Sequence, residues 1–411
     1  MSAVLYRFLN PLDVLFVRGN KSFGDPGSYG ESLIPPRPSV AAGALRTRLL
    51  VDDGINLAAF AAGKIEHPIV GTPDRPGPFR LTAFHLARRH AAGNVEALLP
   101  LPADMAVARP HAGGGRDSGD GILFQVIVPS ELSFSRTGWA SSYPLPLHPV
   151  LRQRVRTKPV GGYWLTESGW RKYLQGRTDL DPAADIIHSG RLWKLDVRVG
   201  VGLDATTRAA AEGRLFSAEA IAFMKREHGA DYEVGFLVAI AGLDDDARLC
   251  RGVIRLGGDG RAAAIEAVQG YQPPEADYER VAAERKCRLV LATPGIFQKG
   301  WLPDGVTESS DNYWFELHGV RGRLVAGCIP RAEVVSGWDL AKELPKAAQR
   351  AVPAGTVYWL DELEARPEDL QRLTESGLWA DPCPNPQRRA EGFNRVWVAS
   401  WSEHPKGGKD S

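Results

Sequence analysis

The sequence predicts an α+β fold in which antiparallel sheets are covered by helices on one face. Short apolar runs rich in β-branched and aromatic residues recur along the chain, for example at 79–89, 122–129, 233–242, 262–268 and 395–401. Helical patterns are few and short. Strands interspersed with few helices favour antiparallel sheets over alternating βαβ order.

With 411 residues the chain exceeds the roughly 250–300 residues at which a single core stops growing, so two domains are expected. Its 44% apolar and 24% charged content is ordinary for a globular protein, and a formal net charge of +1 does not by itself mark a nucleic-acid binder. A local cationic patch is compatible with that balance, because the distribution of charge steers a ligand. Cys250, Cys287, Cys328 and Cys383 lie far apart with no C-x-x-C, which argues against a zinc site or disulfide scaffold and fits a reducing cytosol. The first residues lack the pattern of a signal peptide, and the most apolar stretch, 234–243, is shorter than the about 20 residues that cross a bilayer. A cytoplasmic protein without membrane contact, metal or cofactor is expected.

Taken in order, 4–17 reads as strand with a bulge or break at Asn10-Pro11, followed by a Gly- and Pro-rich loop over 19–38. A helix begins at Ser39, placed as N-cap just after Pro38; Ala41, Leu45 and Leu49 share one face, with Arg46 and Arg48 directed away from it. Strands follow at 79–89 and 122–129, separated by a Gly-, Asp- and Arg-rich loop over 109–121. The proline-punctuated stretch 135–162 reads as an insertion, and 166–174 as a short helix with Trp170, Tyr173 and Leu174 as its apolar contacts. Strands are expected at 192–200, 233–242, 252–256 and 262–268, while 216–224 is ambiguous between helix and strand. The C-terminal part carries a helix at 275–286 with Tyr278 and Val281 inward, a strand at 288–293, a hairpin joining 314–317 to 323–328, a strand at 357–360, a helix at 367–375 and a last strand at 395–401.

The N-terminal strand–loop–helix is the first candidate site. Arg18, Lys21, Arg37, Arg46 and Arg48 lie near a strand end and a helix start, where backbone N–H groups favour an anion. No nucleotide-loop, zinc-protease or serine-hydrolase motif is present. Asp244-Asp245-Asp246 reads as a solvated turn, and His148 and His188 are candidates for general acid–base work, set against the reading of structural or exposed loop histidines. Gly257-Gly258-Asp259-Gly260-Arg261 is either a hairpin needing positive φ or a loop that lets a phosphate backbone approach, with Arg261 as the charge. Arg198 through Asp204, with Thr206, Thr207 and Arg208, combines a strand end, small residues, hydroxyls and cations in the same way. Arg152, Arg154, Arg156 and Lys158 share one face of an extended chain, either touching RNA or guarding a sheet edge.

Together these pieces resemble the Cmr-type RAMP subunit of type III-B CRISPR complexes that binds the 5′ end of the guide RNA. The resemblance rests on Pro11-Leu12-Asp13 with Phe16-Val17-Arg18, Pro35 through Arg46, Arg198 through Leu203, Glu212 through Phe216, Leu256 through Arg261, Thr293 through Phe297 with Gly300 through Pro303, Ser336-Gly337-Trp338-Asp339, and Val352 through Tyr358. It departs from the family at Asn394, where glycine is usual, and in the extra segment 109–121. The resemblance implies two ferredoxin-like (RRM-like) domains, 1–210 with a β-rich, thumb-like insertion around 135–175 and 211–401, ahead of a polar tail at 402–411. It implies no catalysis. Its partners would be the crRNA 5′ tag, the large polymerase-palm subunit and the backbone RAMP subunit of the filament. Phosphate contacts are then expected from Arg18, Lys21, Arg37, Ser39, Arg46, Arg154, Arg156, Lys158, Arg198, Arg208 and Arg261, close backbone approach at Gly257 and Gly258, and stacking on Phe23 or Tyr29. Two rival expectations are a RAMP endoribonuclease using His148 with Lys158, and a scaffold that touches only protein.

Overall fold

The computed structural model describes residues 4–19, 29–109, 122–132, 141–151, 157–226, 229–309 and 312–401. Strands dominate, and their sheets are mostly antiparallel. The largest sheet has eight strands in the order Ile186–His188, Tyr163–Leu165, Val95–Pro100, Arg80–His90, Tyr232–Ala241, Leu5–Pro11, Ala262–Val268 and Arg251–Arg255. Leu5–Pro11 runs antiparallel to both neighbours, with Phe8 opposite Leu237 on one side and Glu266 on the other. Arg80–His90 also pairs antiparallel with Tyr232–Ala241, so it is parallel to Leu5–Pro11 with one strand between them. The helix Pro38–Asp52 makes that crossover. Ala41, Leu45 and Leu49 are buried against Leu9, Val238 and Ile240 of the sheet, as the i, i+4, i+8 spacing requires.

A second sheet has six antiparallel strands in the order Val306–Ser309, Asn312–Leu317, Val320–Cys328, Val357–Glu364, Cys287–Leu291 and Val396–Ser400. Four strands in each sheet follow one scheme: numbered by their order in the chain, they lie side by side as second, third, first, fourth. The first sheet keeps a helix between its first and second strands (Pro38–Asp52); the second keeps one between its third and fourth (Pro367–Ser376). The other helical position of the first sheet is taken by the 245–250 turn, gripped by Arg7, whose guanidinium donates to the carbonyls of Asp246, Arg248 and Leu249. Residues 232–241 and 262–268 belong to the same sheet as 5–11, so that sheet draws on both sides of position 210.

The stretch expected as an insertion divides in two. His148–Leu151 and Lys158–Pro159 form the outer strands of a four-stranded sheet around Leu123–Ser130 and Met105–Arg109. Tyr163–Leu165 and the helix Glu167–Leu174 instead belong to the core: Leu165 pairs with Leu99, and Trp170, Tyr173 and Leu174 are buried. Thr166 caps that helix by accepting from the Gly169 amide. The ambiguous 216–224 segment lies in a strand, Ala210–Phe223, paired along its length with Trp193–Leu203 in a long ribbon.

Two local expectations are corrected. Ser39 does not cap the first helix: the cap falls two residues earlier, at Arg37, with Pro38 in the first turn, and no side chain bonds there. Pro38 supplies helical φ and has no amide to cap. Arg46 does not project into solvent: it lies 5.3 Å over the Phe79 ring, with Nε and Nη2 sealed off. Phe79 precedes the second strand and closes over the helix face next to the apolar one.

The two large sheets are packed against each other. One buried cluster contains Leu99, Trp170 and Tyr173 from the first half and Val290, Trp359 and Ala399 from the second. Trp397 of the last strand meets Trp170 edge-on at 4.5 Å and His85 at 5.2 Å. Burial, with a smaller contribution from Arg395, lowers the His85 pKa from its ordinary 6.5 to about 4. His85 therefore stays neutral in the fold while the unfolded chain takes up its proton, so stability is full above about pH 6.5 and falls as pH drops towards 4. The full loss approaches about 3 kcal/mol. Chemical denaturation at pH 7 and pH 4.5 should show this loss, and it should shrink in His85→Phe.

Candidate nucleic-acid interface

After Pro11 the chain leaves the large sheet and runs beside the ribbon. The Leu15 amide donates to Ile221 O at 2.9 Å and the Ile221 amide returns to Leu15 O at 2.8 Å. This path places Phe16 between two parts of the chain that are far away in sequence. From one side comes the hairpin that joins Arg251–Arg255 to Ala262–Val268: the Gly258 amide donates to Phe16 O at 2.7 Å. Arg261 of the same hairpin lies 5.2 Å over the Phe16 ring and pairs with Asp13 at 2.5 Å. From the other side Arg198 of the ribbon lies 5.9 Å from the ring and pairs with Asp196 at 2.8 Å. Beneath the ring Val14, Ala218 and Ala220 form a small apolar floor.

Burial decides what these cations can do. Asp13 and Asp196 are 61% and 41% exposed, so each pair is a surface ion pair worth only about 0–1 kcal/mol. Arg198 and Arg261 can exchange such partners for a phosphate at small cost. A cavity of about 590 Å³ elsewhere on the large sheet contrasts with this. Its Arg89 is already held by both Glu233 and Glu266, and Glu167 also faces in. Carboxylates outnumber the cation there, which disfavours a phosphate.

The sequence candidates separate into groups. Gly257, Gly258, Arg261 and Arg198 converge on Phe16. Arg208 sits at the ribbon turn with φ of 55°, where Asp204 accepts from the amides of Thr206 and Thr207 and from the Thr207 hydroxyl. Arg18 is exposed and bridges to Ser32 through the backbone. Arg37, Ser39 and Arg46 lie on the first helix, away from Phe16, and Arg37 pairs with Glu333 of the second half at 2.5 Å. Lys158 lies on the four-stranded sheet opposite Arg109. Lys21, Phe23, Arg154 and Arg156 fall outside the described residues, as do the 109–121 loop beyond Arg109 and the tail at 402–411. His148 and Lys158 sit on opposite edges of their sheet with two strands between them, hence about 14 Å apart at about 4.8 Å per strand. They cannot meet at one phosphate. Among the described residues no cluster of His, Cys, Asp and Glu could hold a metal ion, and no helix is long and apolar enough to cross a membrane.

A family model described as CRISPR-associated protein (Cas_Cmr3) matches residues 7–401. The chain belongs to the Cas_Cmr3 family. The match bears out the resemblance to a Cmr-type subunit read from the motifs. No curated protein matches the sequence. Among solved structures, a chain of the Type III-B Cmr-beta complex bound to cognate target RNA and AMPPnP, state 1, aligns at 17% identity and a TM-score of 0.42, covering 90% of this chain and 88% of that one. A chain of Type III-B Cmr-beta bound to cognate target RNA aligns at 15% identity and 0.43, covering 86% of each. A chain of the apo state aligns at 12% identity and 0.26, covering 65% of this chain and 98% of that one.

Within the family pattern the departure at Asn394 has a local explanation. Asn394 is fully buried with φ of 58°, a conformation that glycine adopts freely. Its side chain accepts from the Ile296 amide at 2.7 Å and donates to the carbonyls of Ile296 and Leu378, so here the residue ties two loops together. Sequence reading missed the roles of Phe16 and Asp13. The only signal was their place in the first motif, since nothing local tells that the 257–261 hairpin will land on them.

Gly257 and Gly258 separate turn geometry from ligand approach. Gly257 has φ of 82°, and a Cβ there would lie 2.7 Å from Phe16 O; at Gly258 the distance would be 3.4 Å. Gly257→Ala should therefore cost about 1–3 kcal/mol in denaturant unfolding, and Gly258→Ala distinctly less.

Proposed function

We propose that this chain is a non-catalytic guide-RNA-binding subunit of a type III-B CRISPR effector complex. It holds the repeat-derived 5′ tag and docks on the large polymerase-palm subunit and on the backbone RAMP subunit. The observation that carries the RNA reading is the convergence on Phe16: the 257–261 hairpin and the Arg198 strand, two family motifs nearly 60 residues apart, bring two weakly paired arginines to one aromatic ring. Family membership across 7–401 supports the effector role. The shared second, third, first, fourth strand order supports two ferredoxin-like units, the first closing with Ala262–Val268 and the second opening with Cys287–Leu291, so that the boundary falls in 269–286. The protein is taken to work in the cytoplasm.

On this reading single-stranded RNA lies over the two arginines that cover the buried Phe16 ring, with Arg198 and Arg261 leaving their carboxylates for phosphates. The double variant Arg198→Ala/Arg261→Ala should weaken binding of a 5′-tagged guide RNA. It should also reduce the slope of log K against log salt by about 1.4, two single-strand phosphates at about 0.7 each. An unchanged slope would remove these residues from the interface. Gel analysis of the same incubations tests the absence of catalysis, since a discrete RNA cleavage product would make the chain a nuclease instead.

A further inference from the structure

The strand Arg251–Arg255 is an outer edge of the eight-stranded sheet, and it leads into the hairpin that carries Arg261. Arg251, Val253 and Arg255 alternate on its exposed face, while Ile254 turns into the core under the first helix. Among the described residues neither guanidinium has an ion pair or a hydrogen bond. Arg255 stands opposite Ala262, the residue after Arg261. Val14 and Phe16 also turn away from the cluster under the helix, which takes Leu15 and Val17. Arg261, Arg255 and Arg251 thus succeed one another along the sheet edge, starting at Phe16. Four residues of extended chain put the last two about 14 Å apart, so each would meet a different phosphate.

The charges on this face favour an anion. Glu266 stands opposite Arg251, but both of its oxygens accept from Arg89. Glu233 lies between Arg89 and Arg226, so those two arginines and two carboxylates cancel. Arg251, Arg255, Arg261 and Lys225, whose Nζ donates to Leu12 O at 2.9 Å, then face Asp13 and Asp259. The acidic turn at 244–246 lies on the other face of the sheet, where Arg7 grips it. Between the cations the surface is made of Ala262 and Ala264, which let a phosphate chain lie close.

Charged side chains on an edge strand commonly keep other strands away. Here another residue does that. The Ala267 amide donates to Cys250 O and the Leu256 amide to Arg261 O, so by alternation the Val253 carbonyl points to the open edge. Arg48 of the first helix donates to that carbonyl at 3.0 Å. It also rests against Gly252, where a Cβ would lie 3.0 Å from Arg48 Nη1. The edge is covered by Arg48, which leaves Arg251 and Arg255 available for a ligand.

We propose that the edge strand Arg251–Arg255 extends the path of the guide RNA, Arg255 and Arg251 each taking one phosphate beyond Arg261. The proposal rests on the guide-RNA reading and adds a second stretch of contact to it. It also gives the RNA a course, from the ribbon across the 257–261 hairpin and along the sheet edge.

The test uses the full-length chain and the assembled effector complex, with a fluorescein-labelled guide RNA carrying the 5′ tag. Arg251→Ala/Arg255→Ala should weaken binding and reduce the slope of log K against log salt by about 1.4, two single-strand phosphates at about 0.7 each. Arg251→Lys/Arg255→Lys should keep the wild-type slope, because an ammonium displaces the same counterions. Both variants should unfold at the wild-type midpoint, since the side chains are exposed and unpaired. Photocrosslinking followed by peptide mapping should place RNA on the peptide containing 251–255. A folded alanine variant with wild-type affinity and slope would overturn this proposal alone. Two accompanying results would then name the strand's role: faster aggregation would make it an edge guard, and loss of another subunit would make it a contact for an acidic protein surface. Failure of the wild-type chain to bind the tagged RNA, alone and in the complex, would overturn the guide-RNA reading and this proposal together.

Discussion

The arrangement of the two sheets depends on one buried ion pair. Arg288, on the first strand of the second sheet, meets Asp104 at 2.7 Å, with the side chains 8% and 1% exposed. Burying two charges costs several kcal/mol each unless every polar atom is satisfied. Here they are: Arg288 also donates to Ser400 O and Tyr173 O and lies 4.1 Å over the Tyr173 ring, while Asp104 accepts the Tyr173 hydroxyl at 2.8 Å. The pair therefore fixes where Cys287–Leu291, the last strand and the Glu167–Leu174 helix sit relative to one another. Removing either partner leaves a lone charge among Trp170, Trp359 and Val290, a loss of about 3–5 kcal/mol.

With the sheets held this way, the surface divides into regions of different character. The arginines over the buried Phe16 ring belong wholly to the first half, and their ion pairs are loose. The Arg37–Glu333 pair joins both halves, and the Arg388–Glu391 pair of the second half is held more tightly still. Exposure separates the two more clearly than composition does. In both places each arginine has a carboxylate partner, but only beside Phe16 are the carboxylates largely in water. The ribbon that supplies Arg198 also presents Leu195, Val197, Val199, Val201 and Leu203, all exposed along one face.

Much of this was legible in the sequence, and what was not has identifiable causes. Strands such as Tyr232–Ala241 and the 357–360 part of Val357–Glu364 were readable because they are central and apolar on both faces. The hairpin joining Asn312–Leu317 to Val320–Cys328 was readable from its Gly-containing turn. The cap of the first helix lies two residues before Ser39 because Pro38 in the first turn displaces the hydroxyl cap that Ser39 suggested. Arg46 looked exposed because helical spacing sets a direction but cannot reveal that Phe79 will close over it. The 216–224 segment was ambiguous because its alternating alanines fit either periodicity, and only its partner strand settles the matter. The motifs of the candidate site were visible singly, but their grouping was not. Gly258 and Phe16 meet through a contact spanning some 240 residues, and no local pattern encodes that.

The first strand, Leu5–Pro11, lies between Tyr232–Ala241 and Ala262–Val268. Its backbone groups have no ladder partner on either edge until residues beyond 230 exist. During synthesis the opening segment must therefore wait, unpaired and apolar, while more than half of the chain leaves the ribosome. Closing so long a loop is slow, and an exposed strand edge invites pairing with other chains in the meantime. Yield of this protein in cells should accordingly be set less by the stability of the finished molecule than by what shields residues 5–11 until residue 268 emerges.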